Sequence, residues 1–63
     1  MTMEYIRKTY SVPAKRGGRI RYLGNATPVE GTIVRADGAR LYIRMDGERE
    51  AFTYHPTWAL EYL

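Results

Sequence analysis

The feature that most constrains this chain is a pair of Asp-Gly steps, Asp37-Gly38 and Asp46-Gly47, within residues 31–54. Each step separates runs rich in β-branched and aromatic residues, and Asp-Gly between such runs is typical of a tight hairpin. A type I′ turn needs positive φ at both central residues, which Asp and Gly tolerate. The sequence therefore predicts a three-stranded antiparallel meander over residues 31–54.

Strand-like runs continue on both sides of this meander. Gly31 lies inside one of them and suggests a bulge or a bend. His55-Pro56-Thr57-Trp58 cannot continue a ladder easily and is predicted to form a 3₁₀ turn. The last run is predicted to be a closing strand, with a short C-terminal helix as the alternative. The predicted strands cover residues 19–23, 29–36, 39–45, 49–54 and 59–63.

The N-terminal residues 1–12 are interpreted as a strand or an extended arm. Ile6, Tyr10 and Val12 fall on one period-2 face, although Lys8 interrupts it. Pro13 then ends the element, because proline removes a ladder donor. Residues 13–63 carry the strand order of a small SH3-like five-stranded barrel, which would leave few exposed edges. We therefore expect an all-β single domain, and a looser OB-like barrel is the alternative.

Composition narrows the classes of function. The chain has 63 residues, no cysteine and one histidine, so neither a disulfide nor a thiolate zinc site can form. We therefore expect no metal and no cofactor. A chain this short leaves little room for a catalytic pocket, and no Ser-His-Asp set can be argued from spacing, so we expect no enzyme. No apolar run is long enough to cross a membrane and no signal peptide begins the chain, which suggests a soluble cytoplasmic protein.

The charge is unevenly distributed along the chain. The net charge is +3, and residues 1–35 carry seven of the ten basic residues but only two of the seven acidic ones. On the strand over residues 39–45, Leu41, Ile43 and Met45 should face the core, so the alternating basic and tyrosine side chains should face outward. Arginines interleaved with a tyrosine can contact phosphates and stack on a base. The candidate DNA- or RNA-binding residues are Lys15, Arg16, Arg19, Arg21, Arg35, Arg40, Tyr42 and Arg44.

Two other interpretations stay open at this point. The outward arginines can be ordinary solvated strand positions, and Arg40 or Arg44 can pair with Glu48 or Glu50 across strands. Exposed aromatic residues would instead favour a protein-interaction or self-associating module that binds a host or phage protein. Arginines that converge without acidic partners would favour nucleic acid, whereas carboxylate pairing beside an exposed aromatic patch would favour a protein partner. The aromatic candidates are Tyr10, Tyr42, Tyr54, Tyr62 and Trp58, although Trp58 and Phe52 are expected in the core.

Two resemblances add expectations. Residues 18–48 resemble the KOW and related SH3-like small-barrel pattern, with Gly18, Ile20, Gly24, Gly31 and Ile33 at the expected places. The whole chain, from Val12-Pro13-Ala14 through residues 55–58 to Leu60-Glu61-Tyr62-Leu63, resembles small uncharacterised proteins encoded in bacteriophages and prophages. That resemblance implies action in the cytoplasm of a bacterial host and brings no catalytic residue. The ALYDY-type motif of signalling SH3 domains is absent, so binding of PxxP peptides is not implied.

Overall fold

The computed structural model describes residues 3–63, which form one short helix and a five-stranded antiparallel sheet. The strands lie in the order β4-β3-β2-β1-β5, so the last strand returns to pair with the first. The sheet is open, because β4 and β5 form its two edges and do not pair with each other. The elements are α1 (Met3–Tyr10), β1 (Arg19–Tyr22), β2 (Val29–Asp37), β3 (Arg40–Met45), β4 (Phe52–Tyr54) and β5 (Leu60–Tyr62).

The N-terminal segment is a helix, so the prediction of a strand or arm over residues 1–12 is wrong for residues 3–10, and residues 1 and 2 lie outside the described residues. Met3, Ile6 and Tyr10 recur at helical spacing, and all three pack on the core. Ile6 is fully buried, whereas Glu4 and Lys8 form an ion pair on the solvent side. Packing of Ile6 therefore stabilises a helix that would be too short to persist alone.

The helix ends at a recognisable stop signal. Ser11 has a φ of 55°, and the Val12 N–H donates to the Arg7 carbonyl at 3.3 Å. A left-handed residue followed by this backward hydrogen bond is the Schellman arrangement, which often precedes a proline such as Pro13. The Arg7 guanidinium also donates to the Ala14 carbonyl at 2.7 Å. These bonds turn the chain from α1 toward the sheet.

Five strands form close to the predicted places, but the hairpin turns differ from type I′. Asp37 still pairs with Arg40 in the ladder, so Gly38 and Ala39 form the turn, and only Gly38 has positive φ. In the second turn Gly47 alone has positive φ, and the Glu48 N–H donates to the Met45 carbonyl at 3.0 Å. β4 begins at Phe52 rather than at residue 49, so a longer connection follows this turn.

The irregularity expected at Gly31 lies at Val34 instead, where the register between β2 and β3 shifts. Gly31 has a different role. A Cβ at this position would lie 2.9 Å from both the Arg44 carbonyl oxygen and Met45 Sδ. The absence of a side chain therefore lets β3 approach β2 closely.

The core lies on one face of the sheet under α1. Its buried members are Ile6, Ala14, Ile20, Ile33, Leu41, Ile43 and Met45. The predicted inward set on β3 is thus confirmed, but the expectation that Phe52 and Trp58 fill the core is wrong. Phe52 points to the core side of edge strand β4 and remains 54% exposed, because no strand lies beyond it. Trp58 is 65% exposed.

The segment before β5 forms one turn, closed by a hydrogen bond of 3.3 Å from the Trp58 N–H to the His55 carbonyl, which is the i+3 to i bond of the predicted single 3₁₀ turn and is not extended into a 3₁₀ helix. Pro56 in this turn is fully buried, and the Tyr62 hydroxyl donates to its carbonyl at 2.7 Å. The last residues form a strand, as predicted, rather than the alternative helix. The turn is therefore held on the sheet by β5.

Candidate functional site

Strand register brings the predicted binding residues of β1, β2 and β3 onto one face of the sheet, opposite the core. Arg19 pairs with Thr32 and Thr32 with Arg44, which gives one row across three strands. Arg35 pairs with Tyr42 in the next row, and Arg40 lies at the hairpin end opposite Asp37. Arg21 lies in the row that contains Glu30 and Glu61. These arginines therefore lie on a common face of the sheet, which we call the outer face.

Two of these arginines are bound by carboxylates. Arg19 donates to both oxygens of Asp46 at 2.8 and 2.6 Å, to Thr32 Oγ1 at 2.8 Å, and to Glu30 at 3.3 Å. Arg21 donates to Glu61 at 2.9 Å and to Glu30 at 3.4 Å. The two guanidinium groups share Glu30, so they form one network across β1, β2, β5 and the end of β3. Sequence reasoning missed this network.

The network changes the protonation of its members. Hydrogen bonds from Arg19 lower the pKa of Asp46, so this carboxyl group stays ionised. Hydrogen bonds to Glu61 and Glu30 raise the pKa of the Arg21 guanidinium. The arginine donors are directed at protein oxygens, and their charge is compensated locally. Arg19 and Arg21 are therefore poorly placed to contact an external phosphate.

The other end of the outer face is different. The Arg35 guanidinium carbon lies 3.8 Å from the centre of the Tyr42 ring, within the range of a cation–π contact. Within residues 3–63, no carboxylate forms an ion pair with Arg35, Arg40 or Arg44. The suggested pairing of Arg40 or Arg44 with Glu48 or Glu50 is therefore wrong. The exposed arginines flank Tyr42 along β3 and leave a basic surface with a stacked ring at its middle.

The turn before β1 adds two bases next to β2. The Gly18 N–H donates to the Lys15 carbonyl at 2.9 Å, and the Gly17 N–H donates to the Ile33 carbonyl at 2.8 Å. Gly17 has a φ of 82°, which suits the third position of a type II turn. Lys15 and Arg16 are exposed and lie in this turn, which is held on β2 by the hydrogen bond to Ile33. We call the set Lys15, Arg16, Arg35, Arg40, Tyr42 and Arg44 the basic patch.

A second exposed feature consists of aromatic rings around the turn before β5. The His55 ring stacks on Trp58 with centroids 4.3 Å apart and an interplanar angle of 12°. Tyr10 from α1 meets the same imidazole edge-on at 5.2 Å. His55 Nδ1 lies 3.2 Å from the Thr57 amide nitrogen, which donates to it. The imidazole is therefore held between two rings, and Trp58 keeps most of its surface in solvent.

The chain was also compared with the features of metal sites, membrane spans and known proteins. No group of three or more His, Cys, Asp or Glu side chains that could hold a metal ion occurs within residues 3–63. In the same range, no helix has the length and apolar character needed to cross a membrane. No family model, no curated protein and no solved structure matches this chain.

Proposed function

We propose that this protein is a non-catalytic binding module that binds single-stranded DNA or RNA through the basic patch. The observation that carries the proposal is the contact of the Arg35 guanidinium with the Tyr42 ring at 3.8 Å, flanked on β3 by two arginines that form no ion pair within residues 3–63. Guanidinium and tyrosine planes are both surfaces on which a base can stack. The flanking bases supply contacts to phosphates, which dominate affinity.

The proposed site is smaller than the one predicted from sequence. Arg19 and Arg21 are excluded, because their donors are occupied by Asp46, Glu30 and Glu61. The retained side chains lie on β2, β3 and the turn before β1, where Asp37 is the acidic neighbour in the ladder. The basic patch therefore keeps a net positive charge, while the β5 side of the outer face is close to neutral.

The finer fold assignment and the origin are also proposals. A long bulged β2 between β1 and β3, with the last strand back on the first, supports an SH3-like small barrel. The open edge between β4 and β5 would make it an incomplete one. We further propose that the protein acts as a phage-type accessory protein in the cytoplasm of a bacterial host, as its sequence resemblance implies.

An NMR titration tests the binding proposal. The ¹⁵N-labelled chain is titrated with short single-stranded DNA and RNA at a low and a high salt concentration. We expect shifts centred on Arg35, Tyr42 and Arg44, smaller at high salt, with the amides around Glu61 unchanged. A spectrum that stays unchanged at low salt would refute the proposal.

The non-catalytic part of the proposal is supported by the surroundings of His55. Its imidazole lies between Tyr10 and Trp58, Nδ1 accepts the Thr57 N–H, and no carboxylate within residues 3–63 forms an ion pair with it. Discovery of a turnover that disappears in the Glu48→Ala or His55→Ala variant would contradict it.

A second candidate function is supported by Trp58. A tryptophan that is 65% exposed and stacked on His55 is the kind of rigid aromatic anchor that protein interfaces use. On this alternative, a host or phage protein docks on Tyr10, His55 and Trp58. Affinity capture from host lysate should then return a protein that Trp58→Ala loses and that the exposed control Leu63→Ala retains. Sedimentation at increasing concentration would distinguish self-association.

A further inference from the structure

A cleft opens on the core side of the sheet at the β4 edge, away from the basic patch. Its volume is about 260 Å³, and its floor is formed by Val29 and Met45. Phe52 and Tyr54 of β4 line it, and the turn after β3 contributes Asp46 and Glu48. The cleft exists because β4 has only three residues and no further strand covers Phe52.

The two carboxylates of the cleft are not equivalent. Both oxygens of Asp46 already accept hydrogen bonds from Arg19, so its charge is largely compensated. Glu48 is exposed and forms no ion pair within the described part of the chain. Its negative charge helps to raise the pKa of Tyr54, after burial and the neighbouring Tyr22. Glu48 therefore supplies the uncompensated charge beside the aromatic rings.

We propose that this cleft binds a single arginine side chain of a partner polypeptide. An arginine stem is apolar and can lie on Phe52 and Met45, while its guanidinium donates hydrogen bonds to the Glu48 carboxylate. Aromatic faces also attract a guanidinium. The volume is below the range of about 300–1,000 Å³ that is typical of small-molecule sites, which suits one side chain better than a whole cofactor.

This inference does not depend on nucleic-acid binding, because the cleft shares no residue with the basic patch. It also does not depend on Trp58, which does not line the cleft. A failure of one proposal therefore leaves the others standing, and the nucleic-acid and arginine proposals are read from different amide signals.

The test uses the whole chain and two synthetic peptides, acetyl-Gly-Ser-Arg-Ser-Gly-amide and the same peptide with citrulline in place of arginine. Citrulline keeps the shape of arginine and removes its charge. In a ¹⁵N NMR titration at low salt, the arginine peptide should shift the amides of Met45, Phe52 and Tyr54 in a saturable way. The citrulline peptide should shift them much less.

Variants locate the binding site. Glu48→Gln should weaken binding of the arginine peptide about fivefold, the size of one partly exposed ion pair. Glu50→Gln makes the same charge change in the same connection outside the cleft and should leave the affinity unchanged. Equal binding of both peptides, or an unchanged affinity in Glu48→Gln with a native spectrum, would overturn the proposal. If dilution of the chain alone moved the same signals, a second copy would be the occupant and the separate partner would be refuted.

Discussion

The sharpest prediction concerns how salt weakens nucleic-acid binding to the basic patch. Each phosphate contact to a single strand contributes about −0.7 to the slope of log affinity against log salt. If all five cations of the patch contact phosphates, the slope is about −3.5, and affinity falls about 130-fold between about 50 and 200 mM salt. Replacement of Arg44 by glutamine removes one contact, so the slope should become about −2.8 and the loss about 50-fold.

Fluorescence anisotropy with a labelled single strand of about twelve nucleotides measures these slopes, since this length lies within the range of about 4–16 nucleotides that one small domain covers. Arg49→Gln is the matched control, because Arg49 is exposed and lies in the connection between β3 and β4 rather than in the patch. Tyr42→Leu should weaken binding at every salt concentration without changing the slope, because stacking releases no counterion. A phosphate contact specific to Arg44 is refuted if Arg49→Gln makes the slope less negative by as much as Arg44→Gln does.

Three further predictions concern the fold beneath the site. Gly31→Ala should lower the free energy of unfolding by about 1–3 kcal/mol, because its Cβ would lie 2.9 Å from a backbone oxygen of β3; an unchanged urea midpoint would show that β3 can shift. Ala59→Gly should raise that free energy by about 0.5–1 kcal/mol, because Ala59 has a φ of 57°, which is strained for a residue with a Cβ. A lower thermal midpoint for Ala59→Gly than for the unchanged protein would contradict this strain. Burial raises the pKa of Tyr62 to about 12, so the stability that its neutral hydroxyl contributes is complete below pH 10 and is lost as pH rises toward 12. Tyr62→Phe should cost about 1 kcal/mol at pH 8 for the lost hydrogen bond and should reduce this alkaline loss, and equal alkaline loss in both proteins would contradict the assignment.

Much of the sheet could be predicted because its information is local. The alternation of Leu41, Ile43 and Met45 identifies both faces of β3, and glycines mark both turns. The helix is not predicted, because a period of two over residues 4–12 favours a strand. The spacing of Met3, Ile6 and Tyr10, followed by Pro13, carries a helical signal that a period of 3.6 would have found.

The face on which the arginines lie could be predicted from the sequence, but their carboxylate partners could not, because these are distant along the chain. Alternation places the arginines on the outer face, but it does not reveal which carboxylates cross from other strands. The partner of Arg21, Glu61, is 40 residues away and reaches it only through the pairing of β1 with β5. The exposure of Phe52 follows from the strand order, since alternation alone does not show that β4 is an edge.

The return of β5 to β1 has a consequence for the order of folding. The pairs between β1, β2, β3 and β4 join near neighbours along the chain, and such contacts form early. The pairing of β1 with β5 must instead close a loop that includes most of the chain, which has a larger entropic cost. During synthesis, β1 therefore keeps an unpaired edge until the residues of β5 emerge from the ribosome. The emergence of β5 is the event that allows the sheet, and with it the hydrogen bond from the Tyr62 hydroxyl to the Pro56 carbonyl, to be completed.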